Sequence, residues 1–107
     1  MRIIAGTHKR RLIQPPRDAT TTRPITDRVK VAVFDRLWSM GLLGDSPVEF
    51  GHPEAVGGGN VLDVFAGTGS LGLEALSRGA DHCTFIEKDR STRAILQTNI
   101  TELGLQD

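Results

Sequence analysis

The sequence is poor in the features that mark metal sites, disulfides and membrane segments. Cys83 is the only cysteine, so no internal disulfide can form and no paired thiols are present for a zinc site. His82 stands beside it, but adjacent strand residues point to opposite faces, so we expect no metal ion. No apolar run approaches the ~20 residues that span a bilayer, and the apolar stretch at residues 3–5 is too short for a signal peptide. We therefore expect a cytoplasmic protein without membrane contact.

Positive charge is concentrated at one end of the chain. Residues 1–36 hold nine basic and three acidic side chains, whereas the remaining residues hold four basic and ten acidic ones. A basic segment attached to an acidic body favours a phosphate-rich partner such as a nucleic acid. A solvated extension with no partner is the alternative interpretation of the same charges.

The first 38 residues predict a basic β-hairpin followed by a helix. Strands are expected at 2–5 and 10–14, with a turn between them, and Thr26 fits the N-cap of the helix. Residues 39–59 predict a glycine-rich loop. The apolar side of the predicted helix comprises Val29, Val33, Phe34 and Leu37, and its solvated side Arg28, Lys30, Asp35 and Arg36.

Residues 60–107 alternate regularly between strand and helix patterns. Two apolar segments with the length of strands are each followed by a segment with helical periodicity, and glycine stands after each helix. This order predicts parallel strands in a right-handed βαβ unit. The expected elements are a strand at 60–65, a helix at 70–78, a strand at 82–87 and a helix at 90–103.

A glycine pattern lies between the first of these strands and its helix. Gly67, Gly69 and Gly72 fit G-x-G-x-x-G, and Glu87 follows Gly67 by 20 residues. Glycines let a ligand approach the backbone, and an acidic residue ending the second strand can accept hydrogen bonds from ribose hydroxyls. The pattern therefore predicts a nucleoside cofactor site, with a tight turn that binds nothing as the alternative.

Asp63 bears on which nucleoside cofactor fits. Its carboxylate is expected at the carboxyl end of the first strand, where it would sit poorly beside a pyrophosphate. It suits the cationic amino-acid end of S-adenosylmethionine, which disfavours a nicotinamide- or flavin-dependent oxidoreductase. A role as a helix-capping partner is the alternative for Asp63.

Four stretches resemble the RsmD family, which methylates the exocyclic N2 amine of a guanine in bacterial 16S ribosomal RNA. Residues 61–80, VLDVFAGTGSLGLEALSRGA, are similar to its first motif, and residues 85–89, FIEKD, to its second. Residues 2–6 and the stretch TRPITDRV at 22–29 resemble its N-terminal signature, and the latter is the more specific. The likeness covers almost the whole chain except the glycine-rich loop.

The resemblance implies an α/β fold: the N-terminal half of a class I, Rossmann-like S-adenosylmethionine-dependent methyltransferase, preceded by a β-hairpin and helix. It implies one group of residues around the cofactor and another facing RNA or the small ribosomal subunit. The cofactor residues are Asp63, Phe65, Ala66, Gly67, Thr68, Gly69, Glu87 and Lys88. The RNA residues are Arg10, Arg23, Thr26 and Arg28, for which helix capping and solvated charge are the alternatives.

The motif that would hold the target base is absent from the 107 residues. Families of this kind use Asp or Asn followed by Pro-Pro and an aromatic residue, and the only Pro-Pro pair here, at 15–16, follows Gln14. The sequence ends at Asp107, whereas the family's fold continues for about as long again. We therefore expect no catalytic residue here, weak cofactor binding, no methyl transfer by this chain alone, and self-association through exposed edges. A non-catalytic RNA-binding fragment, or a methyltransferase for another exocyclic amine such as adenine N6, remains open.

Overall fold

The computed structural model describes residues 1–15, 26–39 and 60–105. Within them the elements follow in the order α1 (Asp27–Ser39), β1 (Asn60–Val64), α2 (Ser70–Ser77), β2 (His82–Ile86) and α3 (Arg90–Glu102). The strands and helices predicted after residue 60 are all present, with ends within one residue of expectation. Residues 40–59 of the predicted loop lie outside the described residues. α2 and α3 end as predicted before Gly79 and Gly104, which have φ of 115° and 69°.

β1 and β2 form a parallel sheet with Asn60 opposite His82 and Val64 opposite Ile86. One face packs against α2, and Gly72 makes this possible because a Cβ there would lie 2.3 Å from the Phe85 ring. The other face is bare in the described part of the chain, where Leu62 and Ile86 are 61% and 50% exposed. One face of this small sheet is therefore packed against a helix, whereas no described element packs against the other.

The buried side of α1 is rotated from the predicted one. Lys30, expected on the solvated side, is 1% exposed, whereas Val29, expected on the apolar side, is 48% exposed. Lys30, Phe34 and Leu37 follow the helical period of 3.6 residues, so they share one side of the helix. The prediction was wrong for Lys30 because that lysine turns inward to a carboxylate on α2, which a count of apolar residues cannot reveal.

The N-terminal hairpin forms, but with far less strand than predicted. Residues 1–15 contain one antiparallel bridge, Arg2 with Leu12, supported by hydrogen bonds such as Ile3 N to Arg11 O at 2.9 Å. The strands predicted at 2–5 and 10–14 are therefore wrong in extent. The reason is that the Ile4 and Ala5 amides donate to the side chain of Glu74 on α2, at 2.8 and 3.0 Å, instead of to a partner strand.

Glu74 is the centre of a buried ionic cluster that fixes the hairpin and α1 to α2. Its side chain is fully buried and accepts from Arg78 Nε at 2.7 Å, while Lys30 Nζ lies 3.3 Å away. Lys30 Nζ also donates to the Arg2 carbonyl at 2.7 Å. Two cations and two backbone amides thus surround one carboxylate, which satisfies a charge that would otherwise be costly to bury.

The hairpin and helices share one apolar core. Ile3 and Ile13 of the hairpin are buried with Leu73 of α2 and with Leu103 just after α3. A second cluster joins Phe34 of α1 to Ala75 and Ala80 around the C-terminal half of α2. The basic N-terminal segment is therefore packed onto the α/β unit through apolar side chains.

Candidate functional site

The glycine loop lies where β1 ends and α2 begins, beside the carboxyl end of β2. Ala66 N donates to Ile86 O at 2.9 Å, which continues the parallel ladder one step beyond β1. Gly67 and Gly69 then adopt φ of 60° and 98°, the left-handed region that glycine enters without a steric penalty. Gly69 N donates back to Ala66 O at 3.0 Å, so the loop closes into a tight turn.

Phe65 marks the strand-to-loop transition. It has φ of 60°, which is strained for an aromatic residue, and its side chain is 87% exposed. Backbone strain of this kind costs on the order of 1–3 kcal/mol and is concentrated at functional sites. An exposed ring held in a strained backbone at the edge of the loop agrees with the predicted place of Phe65 in the cofactor site.

Glu87 ties the two strand ends together. Its Oε1 accepts from Gly67 N at 2.8 Å, and its Oε2 accepts from Asp89 N at 2.9 Å. Each carboxylate oxygen has two lone pairs, so both oxygens retain one acceptor position. Glu87 therefore fixes the loop and can still accept hydrogen bonds from the hydroxyls of a ligand.

Asp63 is a half-buried carboxylate behind the loop. Its Oδ2 accepts from Gly72 N at 3.0 Å, the capping contact that was the alternative for this residue. Burial raises the pKa of Asp63 above its ordinary value and the nearby charge of Glu87 raises it further, while the bond from Gly72 opposes the shift. Among the described residues no cation pairs with it. The site therefore offers a negative charge that a cationic ligand would stabilise.

The first turn of α2 is packed against α3. A Cβ at Gly69 would lie 2.5 Å from Leu96 Cδ1, so this glycine is required by helix packing as well as by its φ. Gly69 provides no side-chain cap to α2. Ser70 Oγ is buried without a hydrogen-bond partner among the described residues. In the first turn of α2 the side-chain acceptor is therefore Asp63, which binds Gly72 N, rather than the N-cap residue itself.

The residues after β2 begin α3. Asp89 is its N-cap and accepts from Thr92 N at 2.8 Å, and hydrogen bonds from Thr92 and Ser91 lower the pKa of Asp89 to about 2. Lys88, predicted to be near the cofactor, is exposed between Glu87 and Asp89. The turn from β2 into α3 therefore places two acidic side chains and one basic one beside the loop.

The basic N-terminal residues differ in burial and in their partners, and of those that the structure describes only Lys30 is buried. Lys30 is buried, Arg2 pairs with Asp27 at 2.9 Å, and Arg11 donates to the Glu102 carbonyl at 2.9 Å. Arg10 is exposed with φ of 73° at the hairpin turn, and Lys9 is exposed beside it. The charge available to a phosphate-rich partner is therefore smaller than the net charge of residues 1–36 suggests.

The structure places the other predicted RNA residues near α1. Thr26 Oγ1 accepts from Val29 N at 3.2 Å, which confirms Thr26 as the N-cap of α1. Arg28 is exposed in its first turn. Arg23 lies outside the described residues. The structure does not bring Thr26 and Arg28 into contact with the glycine loop.

The sequence did not predict the buried polar residues of α2 and α3 that bind the N-terminal segment beside the site. Glu74, Ser77 and Asn99 are each at most 1% exposed, and all three bind the N-terminal segment. For Asn99 a signal was present, because it lies on the same helical side as the buried Ile95 and Leu96. Glu74 gave no such signal, since a glutamate four residues before an arginine also fits an exposed helix pair.

No helix in residues 1–15, 26–39 and 60–105 has the length and apolarity to cross a membrane. Among the same residues no group of three or more His, Cys, Asp or Glu side chains could hold a metal ion.

The residues at the loop fit a nucleoside ligand with a cationic group. The left-handed glycines leave the loop backbone open to close approach, Glu87 retains free acceptor positions, and the Asp63 charge has no cation partner in the described part. A positively charged ligand stabilises the ionised form of a carboxylate, and this form is the one that a raised pKa shows to be disfavoured. These features favour a ligand that carries a positive charge over one that would bring phosphate to the same loop.

Comparison with known proteins points to one group. The family model described as Conserved hypothetical protein 95 matches residues 1–107. The chain is 38% identical over 103 residues to ribosomal RNA small subunit methyltransferase D of Escherichia coli strain K12, covering 96% of this chain and 44% of that protein. The chain spans about half the length of the curated relatives it matches.

Two solved structures share the fold. Escherichia coli YhhF superposes with a TM-score of 0.70 and 35% identity, covering 99% of this chain and 48% of that one. The Thermus thermophilus protein TTHA0928 superposes with a TM-score of 0.71 and 30% identity, covering 98% of this chain and 51% of that one. The predicted fold class, half of a Rossmann-like α/β fold, is confirmed by this match and by the parallel sheet.

Proposed function

The chain belongs to the family described as Conserved hypothetical protein 95, and on that premise we propose that it supplies the cofactor-binding half of an S-adenosylmethionine-dependent methyltransferase. The resemblance to the RsmD family is confirmed by relatives named ribosomal RNA small subunit methyltransferase D. The proposed substrate is the exocyclic N2 amine of a guanine in 16S ribosomal RNA, within or on the way to the small ribosomal subunit. The proposed place of action is the cytoplasm.

The observation that carries this proposal is the pair of carboxylates at the carboxyl edge of the sheet. Asp63 lies on β1 and Glu87 directly follows the neighbouring parallel strand β2, close enough for the charge of Glu87 to raise the pKa of Asp63. In the proposal Glu87 binds the ribose hydroxyls, and Asp63 binds the ammonium of the methionine moiety. The bound cofactor supplies an activated methyl group on its sulfonium.

The remaining loop residues are proposed to shape the pocket. Phe65 offers an exposed ring at its rim, and Gly67 and Gly69 allow the ligand to approach the backbone. Ala66 and Thr68 are buried and hold the loop, and Lys88 is proposed to lie near the adenine. None of these groups accepts a proton from the target amine, so the residues that orient the base are proposed to lie outside these 107 residues.

The cofactor proposal is tested by titrating S-adenosylhomocysteine into the purified chain by calorimetry. NADH is the control ligand, and the Asp63→Ala, Glu87→Ala double variant is the control protein. We expect S-adenosylhomocysteine to bind weakly, NADH not to bind, and the double variant to lose binding. Preference for NADH, or unchanged binding by a folded double variant, would contradict the proposal. Measurable methyl transfer to 16S ribosomal RNA by this chain alone would overturn the part that places catalysis elsewhere.

RNA binding by the N-terminal segment is the second part of the proposal. Lys9, Arg10 and Arg28 are exposed, and their side chains form no ion pair with another described residue, so they are available for phosphates. Arg23 and Thr26 are proposed to act with them through the shared signature. Replacing Arg10 by Gly should weaken binding to a 16S ribosomal RNA transcript about twofold to threefold at low salt and make it less salt-dependent.

The Arg10 test has a matched control. Arg10→Lys keeps the charge and should bind RNA almost as the parent does. If neither substitution changes the affinity for RNA, Arg10 is not part of the RNA-binding surface. RNA affinity that is strong and indifferent to S-adenosylhomocysteine, in a chain that does not bind that ligand, would favour the alternative of a non-catalytic RNA-binding fragment. Transfer to adenine N6 by an assembled enzyme would favour the other alternative.

Self-association is proposed for the bare face of the sheet. Leu62, Val64 and Ile86 are about half exposed or more on that face, and such contiguous apolar surface promotes association. Sedimentation velocity should show oligomers of the parent chain that Leu62→Lys reduces. A strictly monomeric parent at high concentration would contradict this expectation.

A further inference from the structure

Asn99 joins two parts of the molecule that are far apart in sequence. It lies on α3 at 1% exposure, and its Nδ2 donates to the Thr68 carbonyl in the glycine loop at 2.9 Å. The same side chain holds the hairpin end at Gln14, whose N donates to Asn99 Oδ1 at 2.8 Å and whose carbonyl accepts from Nδ2 at 3.2 Å. Both amide hydrogens and one oxygen lone pair are therefore used.

The contact to Thr68 separates Asn99 from the other buried anchors of the N-terminal segment. Ser77 also binds that segment, accepting from His8 N at 2.9 Å and donating to Ala5 O at 2.7 Å. Both side-chain hydrogen bonds of Ser77 go to the hairpin, whereas Asn99 also touches the central residue of the glycine loop. Loss of either side chain would loosen the hairpin, but only loss of Asn99 would leave the buried Thr68 carbonyl without this donor.

We propose that Asn99 is a positioning residue for the glycine loop, which it fixes to the docked N-terminal segment through Thr68 and Gln14. Ligand binding at the loop then depends on docking of that segment, and docking raises ligand affinity by the same factor by which the bound ligand favours docking. The identity of the ligand used below rests on the proposed function. The mechanical part of the inference, that Asn99 holds the loop, does not.

Three variants test the inference. Asn99→Leu removes all three hydrogen bonds and keeps the branched heavy-atom skeleton of the side chain. Asn99→Asp keeps the acceptor for Gln14 N and loses, when ionised, the donor to Thr68 O. Ser77→Ala is the control, because it removes two hydrogen bonds to the same segment without touching the loop. Amide hydrogen exchange by NMR and calorimetric titration of S-adenosylhomocysteine are measured on all three and on the parent chain.

We expect the loop amides of Gly67 and Gly69 to exchange about tenfold faster in Asn99→Leu than in Ser77→Ala, whose fast exchange should be confined to Thr7 and His8. S-adenosylhomocysteine should bind Asn99→Leu about tenfold more weakly than it binds the parent or Ser77→Ala. Asn99→Asp should behave as Asn99→Leu near neutral pH, and it serves as the test if the leucine variant does not fold.

The outcomes separate this inference from the proposed function. If loop exchange in the Asn99 variants matches that of Ser77→Ala, Asn99 only holds the hairpin and the inference is overturned. If loop exchange rises as expected but the parent chain binds no S-adenosylhomocysteine, Asn99 still positions the loop and the cofactor proposal fails. If exchange rises while ligand affinity is unchanged, the dependence of binding on docking is overturned.

Discussion

Two regions of this small fold are each built around a carboxylate removed from solvent, and they differ in how its charge is balanced. Glu74 is fully buried beside Lys30 and Arg78, and its carboxylate accepts hydrogen bonds from two backbone amides. Asp63 is half-buried, accepts one amide, and pairs with no cation among the described residues. Within the described residues the first charge is neutralised and the second is not.

The difference shows where stability and binding are separated. Glu74 joins α1, α2 and the hairpin, so its partners are structural and its loss is expected to be felt throughout the fold. Asp63 stands at the strand end beside the loop, where burial raises its pKa and makes its ionised form unfavourable. At neutral pH a cationic ligand that stabilises the ionised carboxylate would add its binding free energy to the stability of the fold.

The largest effect is expected at Glu74. Glu74→Gln keeps the shape but leaves Lys30 and Arg78 without their anion, so we expect a loss of about 3–5 kcal/mol in the free energy of unfolding. Urea denaturation followed by circular dichroism measures it, with Glu102→Gln as the control because Glu102 is exposed. Adding Lys30→Met should recover part of the loss. A change below about 1 kcal/mol for Glu74→Gln would remove the contrast between the two carboxylates.

The next effect is expected on binding at Asp63. Asp63→Asn keeps an acceptor for Gly72 N but removes the charge that faces the ligand's ammonium group. A hydrogen bond to a charged group contributes about 1.5–3 kcal/mol, so S-adenosylhomocysteine affinity should fall about tenfold to hundredfold. Calorimetry measures the affinity for S-adenosylhomocysteine. The control is Asp35→Asn, which makes the same charge change at an exposed position of α1 and should leave that affinity unchanged. Equal affinity of the parent and Asp63→Asn would show that the Asp63 charge serves no ligand.

Much of the fold followed from local patterns, whereas its polar interior did not. The strand and helix periods after residue 60 and the glycines that follow α2 and α3 determine local geometry, and these predictions were confirmed. Lys30 and Glu74 are buried because they meet in three dimensions across α1 and α2, and neither has a local pattern that differs from an exposed charge. The basic composition of residues 1–36 likewise could not show that Lys30 is buried against Glu74 or that the exposed Arg2 pairs with Asp27.

The third prediction concerns the pH dependence of stability at Asp63. The pKa of Asp63 is raised in the folded state, so the folded chain keeps this proton to higher pH than the unfolded chain, whose value is near 3.8. Its contribution to stability is therefore fully present below about pH 3.8 and is lost as pH rises through the folded-state pKa. Asp63→Asn should be more stable than the parent at pH 7, by a margin that vanishes near pH 4. Urea midpoints at several pH values measure it, and a margin of opposite sign would contradict it.

The smallest effect is expected at Asp89, an exposed carboxylate whose charge is supported mainly by hydrogen bonds and also by the nearby charge of Arg93. Bonds from Thr92 and Ser91 lower its pKa to about 2, so its contribution is present above the ordinary value of 3.8 and is lost as pH falls from 3.8 towards 2. This dependence has the opposite sign to that of Asp63, because the N-cap of α3 favours the charged form. Asp89→Asn retains a capping oxygen and should lose stability slightly at pH 7, with the difference from the parent shrinking below pH 3. A difference that stays constant on acidification would mean that the cap does not depend on charge, and the contrast in sign between Asp63 and Asp89 would then fail.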